Sequence, residues 1–201
     1  DYSLADDFPM APYLYVSSVG ENFENFYRQV VDYVQKNNTK LVFNPSSHEL
    51  RKPIETFEPL LRTSYLLVAN KEEVEHILGY PRGVKDMKVL LEGWRKFGNK
   101  FAVITDGTKG SYCFDGDKYY SLGLFEQLKE RAVQQTGAGD AYAAGFMAAV
   151  MDNLPAPEAM RWGTLNAGSV VTKVGAQTGL LHLNEMQDYL TKYPEFQPIE
   201  I

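Results

Sequence analysis

Short apolar runs alternate along the chain with longer stretches in which apolar residues recur every three or four positions. Tyr13-Leu14-Tyr15-Val16-Ser17 has the β-branched and aromatic content of a strand. Phe23, Phe26, Tyr27, Val30 and Val34 follow at helical spacing and predict an amphipathic helix ending near Asn37-Asn38. Lys40-Leu41-Val42-Phe43 predicts a second strand closing on Asn44-Pro45, followed by a polar turn and a weak helix around Ile54 to Leu61. Tyr65-Leu66-Leu67-Val68-Ala69 is a third strand that runs into Asn70. A helix bearing Val89, Leu90, Trp94 and Phe97 leads to a fourth, Phe101-Ala102-Val103-Ile104. Two further strands, Ser111 to Phe114 and Lys118 to Leu122, flank the hairpin turn Asp115-Gly116-Asp117, and Gly123 to Arg131 is a mixed stretch.

The last third of the pattern is helical. From Asp140 to about Met151, Ala141, Ala144, Gly145, Ala148 and Ala149 form one small-residue face, which predicts a buried helix that another element approaches closely. Pro155 and Pro157 suit the first turn of a following helix that carries Met160, Leu165, Ala167 and Val171. Asn184 with Gln187 reads as the capping box of a final helix. Strands that alternate with helices and are apolar almost throughout predict an α/β fold, a three-layer α/β/α sandwich around a mostly parallel sheet. Ligands bind beyond the carboxyl ends of such strands, where Asn44 and Asn70 are expected to face a site.

Composition narrows the function classes. The 201 residues, 44% hydrophobic and 23% charged, suit a single globular domain spanning residues 1–201 with an N-terminal extension over 1–11. A net charge of −6 gives no basic field for nucleic acid or an anionic membrane. Cys113 is alone and forms no internal disulfide, and the scattered His48, His76 and His182 make no zinc cluster. Without a secretory signal or a long apolar run, the cytoplasm is the expected location.

The candidate chemistry centres on Gln134-Gln135-Thr136-Gly137-Ala138-Gly139-Asp140, directly before the small-residue helix. A glycine-rich turn opening a helix aims unpaired amides and the positive end of the helix dipole at one point, a setting that favours an anion. Asp140 then has two readings: a carboxylate capping those amides, or a general base beside a phosphate cradle. A dinucleotide fingerprint is excluded because Tyr142 stands where its third glycine is needed, and no Gly-Lys-Ser/Thr tripeptide supplies a Walker loop. Three more spacings stay open between structure and chemistry. Asn70 to Glu73 fits a capping box, Thr105 to Gly110 fits a tight turn, and Asn166 sits as a polar residue within a helix.

The segment around Asp140 resembles the second signature of the ribokinase-like (PfkB) carbohydrate kinase family, usually Asp-Thr-x-Gly-Ala-Gly-Asp ahead of a small-residue helix. The resemblance implies Asp140 as catalytic base and Gly137, Ala138 and Gly139 as the anion hole over a transferring phosphate. It also implies that Asn70 and Glu73, matching Asn-x-x-Glu, help to place phosphate and Mg²⁺. Thr105, Gly107 and Gly110 match the nucleotide-contacting Thr-x-Gly-x-x-Gly turn, and Asn166-Ala167 with Gly175-Ala176 match a pair flanking adenine. The resemblance further implies that Gly175 borders a loop for a monovalent cation, K⁺ in type. The family's first Asp, which helps to hold that cation, is Gln134 here, and Gln135 replaces its Thr.

The implied activity is ATP-dependent, Mg²⁺-assisted phosphorylation of a sugar or related small alcohol, in a protein that forms homodimers at full length and binds neither nucleic acid nor membrane. The resemblance runs from about residue 12 to 183. The family's Gly-Gly sugar signature and β-lid are not found upstream of Tyr13, and the first residue is Asp1. The expectation is therefore a chain corresponding to the nucleotide-binding and catalytic two-thirds of a sugar kinase, a poor transferase by itself. Two other readings are a catalytically silent nucleotide-binding or regulatory module, and a chain completed by a second polypeptide.

Overall fold

The computed structural model describes residues 2–5, 7–17, 19–129 and 131–201, the side chain of Lys129 excepted. The chain divides into two compact units, Asp1–Ile104 and Thr105–Ile201.

The first unit is built on strands β1 (Tyr13–Ser17), β2 (Lys40–Asn44), β3 (Ser64–Asn70) and β4 (Phe101–Thr105), the last ending at the unit boundary, hydrogen-bonded in that order. β1 and β2 run parallel from Tyr13 opposite Lys40 to Ser17 opposite Asn44, and β2 and β3 are parallel with a register shift between Leu41 and Val42. Parallel neighbours need crossovers, supplied by α1 (Glu24–Asn37) and α2 (Glu58–Thr63), with α3 (Lys71–Ile77) and α4 (Met87–Trp94) following β3. α1 buries Tyr27, Val30 and Val34, as its spacing requires, and stops at Asn38, which turns left-handed at φ 51° and donates its N–H to the Val34 carbonyl. Phe23, Val30, Leu41, Phe43, Leu60, Leu61, Leu66 and Leu67 are completely buried. Each contributes about 1.5–3 kcal/mol.

The segment expected as an N-terminal extension lies along α1. Leu4 N–H donates to Gln29 Oε1 at 2.8 Å, and Tyr33 Oη donates to the Pro9 carbonyl at 2.8 Å while accepting from Ala11 N–H at 3.1 Å.

The second unit holds β5 (Ser111–Phe114), β6 (Tyr119–Leu122) and β7 (Ile199–Glu200), paired antiparallel in that order. β7 is a two-residue strand with no sequence pattern to betray it. Parallel pairing is thus the mark of the first unit, and the Asp115 turn produces the hairpin of the second: Asp115 Oδ1 accepts from the amides of Asp117 and Lys118 at 2.9 and 2.8 Å.

Helices α5 (Glu126–Lys129), α6 (Ala138–Met151), α7 (Ala156–Val170) and α8 (Leu183–Lys192) complete this unit. α6 and α7 pack backbone to backbone: a Cβ on Gly145 would lie 2.8 Å from the Trp162 carbonyl oxygen. The small-residue face needs one correction, because Ala144 and Ala148 are exposed while Tyr142, Ala143, Phe146 and Val150 are buried with Ala141, Gly145 and Ala149. The contact with α7 centres on the Gly145 row, and the Ala144–Ala148 row falls outside it. A second correction concerns α8, which begins at Leu183 after N-cap His182. Its N-terminal carboxylate is Glu185, which accepts the His182 N–H at 2.8 Å, so the pair Asn184 and Gln187 plays no capping part. No helix among the described residues is long and apolar enough to cross a membrane.

Candidate active site

The glycine-rich segment forms the start of α6. Gly137 is the N-cap, left-handed at φ 84°, and has no side chain to cap the amides that follow. A Cβ there would also lie 2.5 Å from the Ala176 carbonyl oxygen and 2.8 Å from Ala176 Cα. The Gly175-Ala176 bend therefore packs directly on Gly137, bringing together two segments that the sequence keeps far apart. Ala138 N–H donates to the Gln135 carbonyl at 3.2 Å and Ala141 N–H to Gly137 at 2.8 Å. The amides of Gly139 and Asp140 are left without a backbone acceptor among the described residues. Beside Gly139 the space is open, with no heavy atom within 4 Å of where a Cβ would stand.

Asp140 is the third residue of α6 and is exposed, and its carboxylate makes no hydrogen bond to a described residue. The capping role open to Asp140 is not taken up. Two residues on, Tyr142 is buried and donates its hydroxyl to Ser111 Oγ at 2.9 Å, and burial pushes its phenol well above the ordinary tyrosine range. This bond ties α6 to β5.

Asn166 is buried in α7, and its carboxamide is used at both ends. Nδ2 donates to the Ala141 carbonyl at 2.8 Å, and Oδ1 accepts from Leu181 N–H at 3.0 Å. It thus fixes the first turn of α6 to the segment following the Gly175-Ala176 bend. Thr105 ends β4, and Gly107 to Lys109 forms a single 3₁₀ turn closed by Asp106 N–H on the Gly110 carbonyl at 2.8 Å. The two glycines of this turn differ: nothing lies within 4 Å of a Cβ on Gly107, whereas one on Gly110 would strike the Leu122 carbonyl oxygen. Gly110 is a packing glycine, and Gly107 leaves room.

In the first unit, Asn70 and Glu73 form a closed capping box at the start of α3: Glu73 N–H donates to Asn70 Oδ1 and Asn70 N–H to Glu73 Oε2, both at 2.9 Å. Asn70 is exposed and Glu73 half-buried at the carboxyl end of β3. Asn44, expected beside it, turns back, its Nδ2 donating to the Val68 carbonyl at 2.7 Å.

These donors fit Mg²⁺ in one form. That ion keeps several waters and takes one or two carboxylates with phosphate oxygens, a demand Glu73 suits. Among the described residues no three His, Cys, Asp or Glu gather into an all-protein cage. A monovalent cation fits poorly. Gln134 Nε2, a donor, is buried with no partner among the described residues, and the neighbouring Val171 carbonyl already accepts the amides of Val133 at 2.8 Å and Gln134 at 3.3 Å.

The sequence matches the family described as pfkB family carbohydrate kinase over residues 3–183. The chain belongs to that family. It is 25% identical over 174 residues to a 5-dehydro-2-deoxygluconokinase of Clostridium tetani, covering 82% of this chain and 50% of the relative. It is 33% identical over 134 residues to a cytidine kinase of Thermococcus kodakarensis, covering 66% and 46%. The fold is ribokinase-like: a ribokinase-II-type protein of E. coli in complex with ATP and Mg²⁺ superposes with a TM-score of 0.75 at 16% identity, over 90% of this chain and 59% of that one. This pfkB-family chain spans about half the length of the curated relatives it matches.

Sequence reading named Ala176 only as part of a pair flanking adenine and missed its packing on Gly137, and it missed Leu181 on Asn166 altogether, because an apolar residue gives no signal of such a contact. It also missed Glu75, whose Oε1 accepts from the amides of Gly83 and Val84 at 3.0 and 2.8 Å and shapes the loop after α3. Glu49 gave no signal either. It is fully buried, accepts from the Tyr27 hydroxyl and from Ser46 N–H, and shares in holding the Tyr27 phenol above its usual range, where burial is the main cause.

Proposed function

We propose that this chain is the nucleotide-binding and catalytic part of an ATP-dependent phosphotransferase acting on a hydroxyl of a sugar, nucleoside or related small alcohol. The observation that carries the reading is the uncapped start of α6, with open space at Gly139 and an exposed carboxylate in the first turn. Charge spreads over the equatorial oxygens of a transferring phosphoryl group, and fixed amides are suited to stabilise it. The turn of Gly137, Ala138 and Gly139 would receive those oxygens. Asp140 would take the proton of the attacking hydroxyl. Mg²⁺, when bound, neutralises phosphate charge, and Glu73 with Asn70 would hold it through water. Thr105, Gly107, Gly110 and Gly175 would adjoin the nucleotide, while Asn166 positions α6 from behind instead of touching the ligand. The acceptor class is supported by the names of the two relatives, one a 5-dehydro-2-deoxygluconokinase and one a cytidine kinase.

The test has two arms, titration with a non-hydrolysable ATP analogue with and without Mg²⁺, and phosphoryl transfer to sugars and nucleosides. Asp140→Asn is expected to leave analogue binding intact and to lower transfer by about 10²–10⁴. Near-normal transfer in Asp140→Asn removes Asp140 as base. The half-length coverage favours a second reading, in which the chain binds nucleotide and needs another segment to hold the acceptor. Mg²⁺-dependent analogue binding without transfer, followed by transfer when an N-terminal segment is added, distinguishes it.

A further inference from the structure

By the resemblance described above, Gln134 stands where the family usually has a cation-holding Asp, and the residues around it do not suit a cation. A monovalent ion is held by oxygen lone pairs and favoured by nearby negative charge. Across residues 131–140 and 170–184 the only carboxylate is Asp140, set against the cations Arg131 and Lys173. Several carbonyl oxygens in and beside these segments are engaged as well. Val171 accepts two amides, Val170 accepts Lys173 N–H at 3.2 Å, Gln177 accepts Leu180 N–H at 3.2 Å, and Gln135 accepts Ala138 N–H at 3.2 Å. Ser169 takes both the amide and the hydroxyl of Thr172, at 3.1 and 2.7 Å. Gln134 Nε2 meanwhile is buried without a partner among the described residues. A buried donor is destabilising unless it meets an oxygen, and its hydrogens would repel a bound cation while attracting an oxygen lone pair.

We propose that the Gln134 carboxamide takes the place of a monovalent cation beside the Gly137 turn, so that this chain is indifferent to K⁺. The amide hydrogens supply the positive end that an ion would otherwise supply, in uncharged and permanently attached form, and a water is the oxygen they meet. The inference goes beyond the proposed activity, since it rests on the loop geometry and on the family to which the chain belongs.

The experiment compares the melting temperature of the ligand-free protein in potassium chloride and in choline chloride at equal ionic strength. The expected difference is less than about 2 °C. Gln134→Glu keeps the size of the side chain and replaces its donor with a carboxylate. That variant is expected to melt lower in choline chloride and to recover by more than about 2 °C in potassium chloride. A K⁺-specific stabilisation of the unaltered protein above that threshold overturns the proposal, because the amide would then present its oxygen to the ion. So does a Gln134→Glu protein that folds but gains no K⁺ response, since residue 134 would not be what decides. If Gln134→Glu does not fold, the comparison of the two salts on the unaltered protein decides the matter alone. Neither arm uses ATP, so failure here is distinguishable from failure of the kinase reading.

Discussion

α3 and α6 each carry a carboxylate as third residue, Glu73 in the first helix and Asp140 in the second, and the two carboxylates meet opposite fates. In α3 the N-cap is Asn70, whose side chain takes the Glu73 amide while Glu73 takes the Asn70 amide, closing the helix start on itself. In α6 the N-cap is Gly137, which has nothing to offer, and Asp140 stays exposed. The difference lies in the residue before the helix. A side-chain acceptor there consumes the free amides and orients the carboxylate inward, whereas a left-handed glycine leaves the amides open and the carboxylate outward. One helix start is thereby closed by its own side chains, the other left open to an anion.

The contrast breaks most severely at Gly137. Gly137→Ala forces a side chain into the left-handed region and onto Ala176, and is expected to destabilise the protein by about 3 kcal/mol, measured by urea unfolding. A cost below about 1 kcal/mol would mean that the Ala176 bend yields and the opening is not rigidly built. Asn70→Ala opens the closed start and should cost about 1 kcal/mol in the same assay. Gly139→Ala sharpens the comparison from the other side. Its Cβ enters open space and improves helix propensity, so stability should rise by up to about 1 kcal/mol while ATP-analogue affinity falls. Unchanged affinity in Gly139→Ala would place the anion elsewhere. Asp140→Asn, which disturbs no hydrogen bond to a described residue, should alter stability by less than about 0.5 kcal/mol. A loss equal to that of Asn70→Ala would make Asp140 a structural acid like Glu73.

Most elements could be placed from the sequence because they bury one face. The run of β3 and the Phe23-to-Val34 spacing of α1 are repeated burial decisions, each visible as an apolar residue at a regular interval. The glycine-rich turn was legible for a related reason, since positive φ and close approach both demand the absence of a Cβ. Features set by a single polar contact were not legible. α8 starts after His182 and not at Asn184 because Glu185 finds the His182 amide, although Asn184 and Gln187 have an equally suitable spacing.

The sequence by itself determined the family, the strand–helix alternation and the positions of Gly137, Gly139 and Asp140, because periodic burial and glycine requirements are local properties of the chain. Only the tertiary structure decided what those residues face. Ala176 reaches Gly137 across 39 positions of sequence, Asn166 joins Ala141 to Leu181, and Gln134 is left with a buried donor and no partner among the described residues. Contacts of that kind depend on two distant segments arriving at one point, and neither segment carries a periodic signal of the other.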